Sequence, residues 1–556
     1  MNKNVKKQNS RLNLQKLFWT GSLISGVMLG LNAPGLGTHW LGLISLFPLI
    51  FTLEQLHTEE GLSFRKRALL FFGICWLTGG IAASIGSYWI TNSIHVFGHA
   101  PWSVALMITG VGYGLEVGFQ LFVYFGIPLL LIRKLNNWDL PLRLAFVLAL
   151  DPWYPRLIHW NYGGLTFSEF PWIEQLADII GSSGLLLFSS GLAFLLIGWL
   201  RWKSGKISHK KILQASNLYL LLWIIGLSYG AWRTYNLETK FPETNPNSSN
   251  LTVLVIQPNF SLQDLASNAE LAHSKRQQNL ESLLNDSRKA LAELPQNTST
   301  EKLLVWPESV FPDAYFKSQN SRHRVSSFAQ EHQANILFAT VDWEPTQTGH
   351  KFYGVSVLVG KNGEVLGRYN KIFLIPFGEM IPFSDWFPGI AAWLRQNIAN
   401  MSEFDRGSEY TVFSLADNTQ LSAPICFDIF NPTVMRGMVR NGSDLVLNLS
   451  NLAWFGRTTA SDNMVATLRW RAIENRVPVV FASNNGESLF IAANGKNMSQ
   501  QLGLFEEGTK SLRFSFHRRQ SQFSFYREYA EWVWAGFIFL FLLLLIPTLR
   551  PAKIFQ

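Results

Sequence analysis

Apolar residues gather in the first 232 positions and the last 26 of this 556-residue chain, and the stretch between them is mixed and polar. A helix that crosses a bilayer needs about 20 mostly apolar residues. Segments 17–31, 40–53, 68–90, 103–132, 140–150, 176–200, 213–231 and 531–548 are the candidates, about eight spans in all, with 140–150 short and weak. The first follows a basic start but carries no small-residue cleavage pattern, and more spans follow, so it is expected to be retained. The middle breaks into short β-branched runs at 251–256, 303–306, 335–342, 355–359, 364–369, 421–426, 445–449, 477–482 and 488–492. Segments 271–294 and 459–475 between them read as helices. Strand and helix mixed in this way predict a layered α/β domain. The division expected is therefore 1–232, a membrane region of about seven helices, 233–529, an extramembrane α/β domain, and 530–556, a last helix with a short tail. Segment 242–250, rich in Pro, Asn and Ser, is the expected linker.

Charge refines this outline. The formal net charge of +9 is placed between apolar segments. The N-terminus (Lys3, Lys6, Lys7, Arg11, Lys16) and the loops 54–67, 133–143 and 201–211 are basic, whereas 94–101 carries no Lys or Arg and 151–175 only Arg156. Basic loops face the cytoplasm, so both termini are expected inside, with Arg550 and Lys553 after the last span, and the α/β domain outside. No basic-aromatic recognition motif accompanies the charge, which argues against nucleic acid as a partner. Two cysteines, Cys75 and Cys426, allow no disulfide framework. Eleven histidines form no His-Glu-x-x-His arrangement. No metal and no cofactor are expected.

Three residues stand out in the polar middle. Cys426 ends the apolar run Leu421-Ser422-Ala423-Pro424-Ile425, just before a turn, where a nucleophile is presented to a cleft. Glu308 ends Leu303-Leu304-Val305-Trp306-Pro307, and Lys371 precedes Ile372-Phe373-Leu374-Ile375-Pro376. Each has a plainer reading: an inert core thiol, a turn cap and a surface ammonium. Within the fourth span Glu116 is an intramembrane charge and a functional candidate. The neighbouring Gly112, Gly114 and Gly118 read more simply as a helix-packing face.

Taken in chain order, Trp306-Pro307-Glu308, Tyr369-Asn370-Lys371 and Ile425-Cys426-Phe427 resemble the Glu-Lys-Cys triad of the nitrilase superfamily. Gln257-Pro258-Asn259, Pro376-Phe377-Gly378-Glu379, Asn451-Leu452-Ala453-Trp454-Phe455-Gly456, Arg471-Ala472-Ile473-Glu474-Asn475 and Ser483-Asn484-Asn485-Gly486 extend the match. Inside the membrane frame, the whole chain resembles the apolipoprotein N-acyltransferase family, the membrane branch of that superfamily. The resemblance implies an α-β-β-α sandwich on a multi-span helical bundle, in the inner membrane of a bacterium, with the catalytic domain facing the periplasm. It implies a Cys426 thioester formed from a phospholipid acyl donor, then passed to the amine of a diacylglyceryl apolipoprotein, by a monomer embedded in the bilayer. Glu308 would be the base and Lys371 the oxyanion partner. Glu379 resembles the family's second carboxylate, or simply pairs with Lys371, and Phe427 and Asp428 would support the site. Trp454, Phe455 and Gly456 resemble a mobile substrate-entrance loop, or are packing. Three positions depart from the family pattern: Asp428 replaces a glutamate, Phe427 a tyrosine and Leu452 an aspartate. Cys-aromatic-Asp is closer to the hydrolysing amidases, so a membrane-tethered amidase is the competing enzyme. A membrane scaffold or transporter with an inactive nitrilase-like domain is the reading outside enzymes.

Overall fold

The computed structural model describes residues 18–96, 98–132, 139–158, 166–240, 251–261, 269–295, 300–311, 313–347, 349–382, 384–397, 403–515 and 523–549. The linker expected at 242–250, the basic N-terminal residues, Arg133, Lys134, Arg550 and Lys553 lie outside these. Contacts divide the chain into two compact units, Met1–Trp232 with Tyr529–Gln556, and Arg233–Glu528.

In the first unit every apolar segment is helical where described. Among the described residues six helices are long and apolar enough to cross a membrane: His39–Thr58, Phe64–Gly86, Trp102–Leu131, Leu186–Lys203, His209–Thr239 and Phe525–Ile546. Phe18–Leu31 is shorter, and Asp139–Leu150, at 12 residues, spans only about 18 Å. The 176–200 segment divides at Leu185 into Ala177–Gly184 and Leu186–Lys203, and the first is kinked at Gly181, whose φ of 69° only glycine adopts freely.

The glycines of the fourth span divide by face. A Cβ on Gly118 would lie 2.4 Å from the Cα of Trp76, and one on Gly114 would lie 2.5 Å from the Cα of Gly80, so Phe64–Gly86 packs backbone against backbone here. Gly112 looks into open space and takes no part. Glu116 turns its Oε1 to the Leu157 amide, 2.7 Å away. One sequence reading is corrected: Arg143 and Arg201, counted among loop charges, are buried. Glu54 pairs with Arg143 (2.7 Å) and Arg201 (2.8 Å), and Asp139 with Arg201 (2.8 Å). Burial without partners would leave each charge heavily penalised, so the four residues exist as a set.

The second unit is an α-β-β-α sandwich. Its strands are β1 (Leu251–Gln257), β2 (Glu301–Val305), β3 (Asn335–Thr346), β4 (Gly349–Val359), β5 (Val365–Asn370), β6 (Phe413–Ser414), β7 (Gln420–Ser422), β8 (Leu445–Ser450), β9 (Val479–Ser483), β10 (Leu489–Ile491) and β11 (Gly508–Phe514). One sheet runs β11-β1-β2-β3-β4-β5 and the other β10-β9-β8-β7-β6. Parallel pairs form the centre of each sheet and antiparallel pairs the edges. β1 is buried at all seven positions, as a strand covered on both faces must be. Helices Ala269–Ala292 and Gln319–His332 cover the first sheet through Leu280, Leu283, Val325 and Phe328 against Leu254, Leu304, Ile336 and Phe338. Helices Pro432–Arg440 and Ala460–Asn475 pack against each other, the latter on β9. Ser356 Oγ donates to the Ala423 carbonyl at 2.9 Å and ties the two sheets together.

The run read as a strand at 421–426 stops at Ser422, and Cys426 instead opens a short 3₁₀ turn, Cys426–Phe430. Pro424 cannot donate to a ladder, so the strand gives way there.

Gly118→Leu is expected to push the two helices apart, lowering stability by about 1–3 kcal/mol or more. A thermal melt of detergent-purified protein that leaves the midpoint unchanged would contradict the close backbone contact.

Candidate active site in the sandwich unit

Trp306 fixes the first candidate. Fully buried, it donates Nε1–H to Ser287 Oγ at 2.9 Å, and its backbone N–H donates to the Leu337 carbonyl at 2.8 Å. These bonds hold the end of β2, so Glu308 leaves the sheet in a set direction. Lys371 follows β5 directly, with its amide on the Gly354 carbonyl at 2.8 Å and 1% of its side chain exposed. Cys426 sits at φ 48°, a left-handed conformation that residues other than glycine adopt only under constraint. The Asn448 carboxamide supplies part of that constraint, donating to the Pro424 and Cys426 carbonyls at 3.2 Å each.

The three side chains converge. Lys371 Nζ lies 3.5 Å from Glu308 Oε1 and 2.6 Å from Glu379 Oε1. Glu308 and the Cys426 thiol are close enough for each to shift the other's pKa, and Glu308 Oε2 accepts from the Asn451 amide at 3.0 Å. Glu379 Oε2 accepts from the Ile375 amide at 2.9 Å, which holds that carboxylate against the lysine. Of its two sequence readings, the pairing with Lys371 is therefore present.

Burial raises the Glu308 pKa above the ordinary 4.5; the Lys371 ammonium opposes this and the Glu379 carboxylate adds to it. Burial pushes the Cys426 thiol well above its ordinary value, Glu308 and Glu379 push it further, and Lys371 opposes them. Burial alone would lower Lys371, but Glu379 and Glu308 outweigh it and raise it. These shifts favour a neutral thiol and a charged ammonium at Lys371.

Asp428 is fully buried, and burial lifts it to about 6. It accepts from the amides of Ile372, Phe373 and Ile425 and from the Tyr369 hydroxyl. Phe427 packs at a tilt against Phe430 (centroids 4.8 Å apart) and Phe455 (5.9 Å). Phe455 is buried, Trp454 is 41% exposed, and Gly456 at φ 64° ends the loop. The aromatic pair thus splits: Phe455 packs beside the nucleophile's neighbour, and Trp454 faces outward. Sequence reasoning gave no role to Asn448, Asn451 or Tyr369. Tyr369 and Asn451 stood inside the matching motifs without a role, and Asn448 is a carboxamide inside the apolar, wholly buried run Leu445–Ser450. Among the described residues no three His, Cys, Asp or Glu side chains are grouped to hold a metal ion.

The comparisons with known proteins follow the same division. Residues 266–520 match the family model described as carbon-nitrogen hydrolase, which assigns the sandwich unit to the nitrilase class. Residues 25–195 match the apolipoprotein N-acyltransferase N-terminal domain. An apolipoprotein N-acyltransferase of Geobacter metallireducens is 26% identical over 524 residues, 92% of each chain. Another, of Bdellovibrio bacteriovorus, is 26% identical over 504 residues, 86% of this chain and 85% of that one. Among solved structures, an amidase of the nitrilase superfamily from Nesterenkonia AN1 covers 52% of this chain and 97% of its own, at 18% identity and a TM-score of 0.37. With both regions matched in order, this chain is similar along most of its length to the apolipoprotein N-acyltransferases.

A base with a raised pKa sets the sign of a pH effect. Activity is expected to fall as pH drops through the Glu308 value, so the acid limb of kcat/KM lies above 4.5. Glu379→Gln removes one of the causes that raise Glu308, and the limb is expected to move to lower pH. A limb that stays in place or moves upward in the variant would refute this electrostatic account.

Proposed function

We propose that this enzyme transfers a fatty acyl chain from a phospholipid to the α-amino group of an N-terminal diacylglyceryl-cysteine, through a thioester on Cys426. The observation that carries the reading is the meeting of Glu308, Lys371 and the thiol around one carboxylate, inside a chain with this family's two-part organisation. Glu308 takes the thiol proton as sulfur attacks the ester carbonyl. Negative charge then develops on the carbonyl oxygen, and the Lys371 ammonium, fixed by Glu379, stabilises it. Collapse expels the lysophospholipid alkoxide, which receives the proton from Glu308. In the second half the amine attacks the thioester, Glu308 accepts a proton from the attacking nitrogen, and the departing sulfur is reprotonated. The amide leaves, the thiol is restored, and the kinetics are ping-pong.

The apolar helices fit a protein of a bacterial membrane, and both substrates are membrane-borne lipids. We place it in the inner membrane with the sandwich unit on the periplasmic side, on the basis of the exposed basic residues Arg65 and Lys66, and Lys203, Lys206, Lys210 and Lys211. Trp454 and Gly456 belong in this reading to the entrance through which lipid reaches Cys426.

Purified protein incubated with phospholipid and a diacylated lipopeptide is expected to show an acyl mass on Cys426 and a triacylated product, both absent in Cys426→Ala. Glu308→Gln is expected to slow both half-reactions by roughly 100-fold or more, the scale of general acid–base catalysis. Lysophospholipid and free fatty acid without N-acylated peptide would instead make the protein a hydrolase.

A further inference from the structure

We propose that Asp428 is a positioning residue: its carboxylate clamps the turn that carries Cys426 to the turn that carries Lys371. It thereby sets the separation between the attacking sulfur and the ammonium that receives the oxyanion. The inference rests on the proposed role of Cys426 as the acylated nucleophile.

The bonds divide between the two turns. Oδ2 accepts from the Ile425 amide at 2.9 Å, one residue before the cysteine, and from the Tyr369 hydroxyl at 2.9 Å. Oδ1 accepts from the amides of Phe373 at 2.7 Å and Ile372 at 3.2 Å, both just after the lysine. Tyr369 closes the lysine side, since its hydroxyl also accepts from the Ile372 amide at 3.2 Å. Asp428 returns a bond on the cysteine side, its own amide donating to the Ile425 carbonyl at 3.0 Å. One carboxylate therefore joins the turn after β7 to the turn after β5, which belong to different sheets.

Asp428 is fully buried, so it reaches substrate only through the groups it holds. Bonds from an ionised acceptor are about twice as strong as neutral ones, and four of them fix both partners closely. The left-handed backbone at Cys426 persists only where its surroundings over-determine it, and the Asp428–Ile425 pair of bonds is one such determinant. A looser clamp leaves lipid binding alone and degrades the attack geometry, a loss that appears in kcat and not in KM.

Full-length Asp428→Asn and Tyr369→Phe, purified in detergent and selected as folded material by size exclusion, test the clamp. Asp428→Asn is expected to lower kcat by roughly 100-fold, the scale of an ångström-level misplacement, with the phospholipid KM within about threefold of the parent. Single-turnover acylation of Cys426, followed by intact mass, is expected to slow in parallel. Tyr369→Phe, which removes one of four donors, is expected to slow kcat by about tenfold with KM unchanged. A folded Asp428→Asn enzyme with parental kcat, or a loss confined to KM, would overturn the proposal. Where that variant yields no folded protein, Tyr369→Phe decides by the same criterion. A parent enzyme that never carries acyl mass on Cys426 fails the function itself, whereas a normal parent adduct with unaffected variants fails only the clamp.

Discussion

A lysine ammonium with 1% of its surface exposed survives in the sandwich unit because two carboxylates face it, at 3.5 and 2.6 Å. Stripped of water, the ammonium alone would be driven to lose its proton. The two facing glutamates reverse that tendency, and the same negative charge raises the neighbouring thiol. One arrangement thus favours a charged Lys371 and a neutral Cys426, the states the proposed mechanism starts from.

The sandwich supplies this triangle by dividing its parts between two sheets. Glu308 and Lys371 leave the carboxyl ends of β2 and β5, whereas Cys426 comes from the turn after β7. The working geometry therefore depends on the join between layers. Bonds that cross the join, from Ser356 Oγ to the Ala423 carbonyl, from the Asn451 backbone amide to Glu308 and from both turns to Asp428, hold the candidate residues in register.

Much of this was legible in the order of residues, and what was not has physical causes. Long apolar segments announce helices because every peptide group in a bilayer must be paired within its own segment, and all eight segments are helical where described. Central strands such as Val253–Ile256 within β1 read clearly since both faces are covered, but β11, Gly508–Phe514, carries polar residues on an edge and gave no signal. Gln319–His332 buries only a thin stripe through Val325, Phe328 and Ala329, too little to show against its polar face. Arg143 and Arg201 looked like loop charges because pairing with Glu54 and Asp139 is a property of the tertiary fold. The triad residues stood out as charges and a thiol in apolar runs, yet the partners that aim them, Asn448, Asn451 and Tyr369, are ordinary polar residues whose neighbours lie far away in sequence.

A cysteine that rests as a buried, protonated thiol has a further property. Oxidants and disulfides attack thiolates, and attack requires access; Cys426 at rest offers 2% exposure and little anion. The same burial and negative surroundings that hold the thiol neutral also shield the sulfur from sulfenic acid formation and from mixed disulfides. On the proposed periplasmic placement, such a cysteine needs no reductant to restore it.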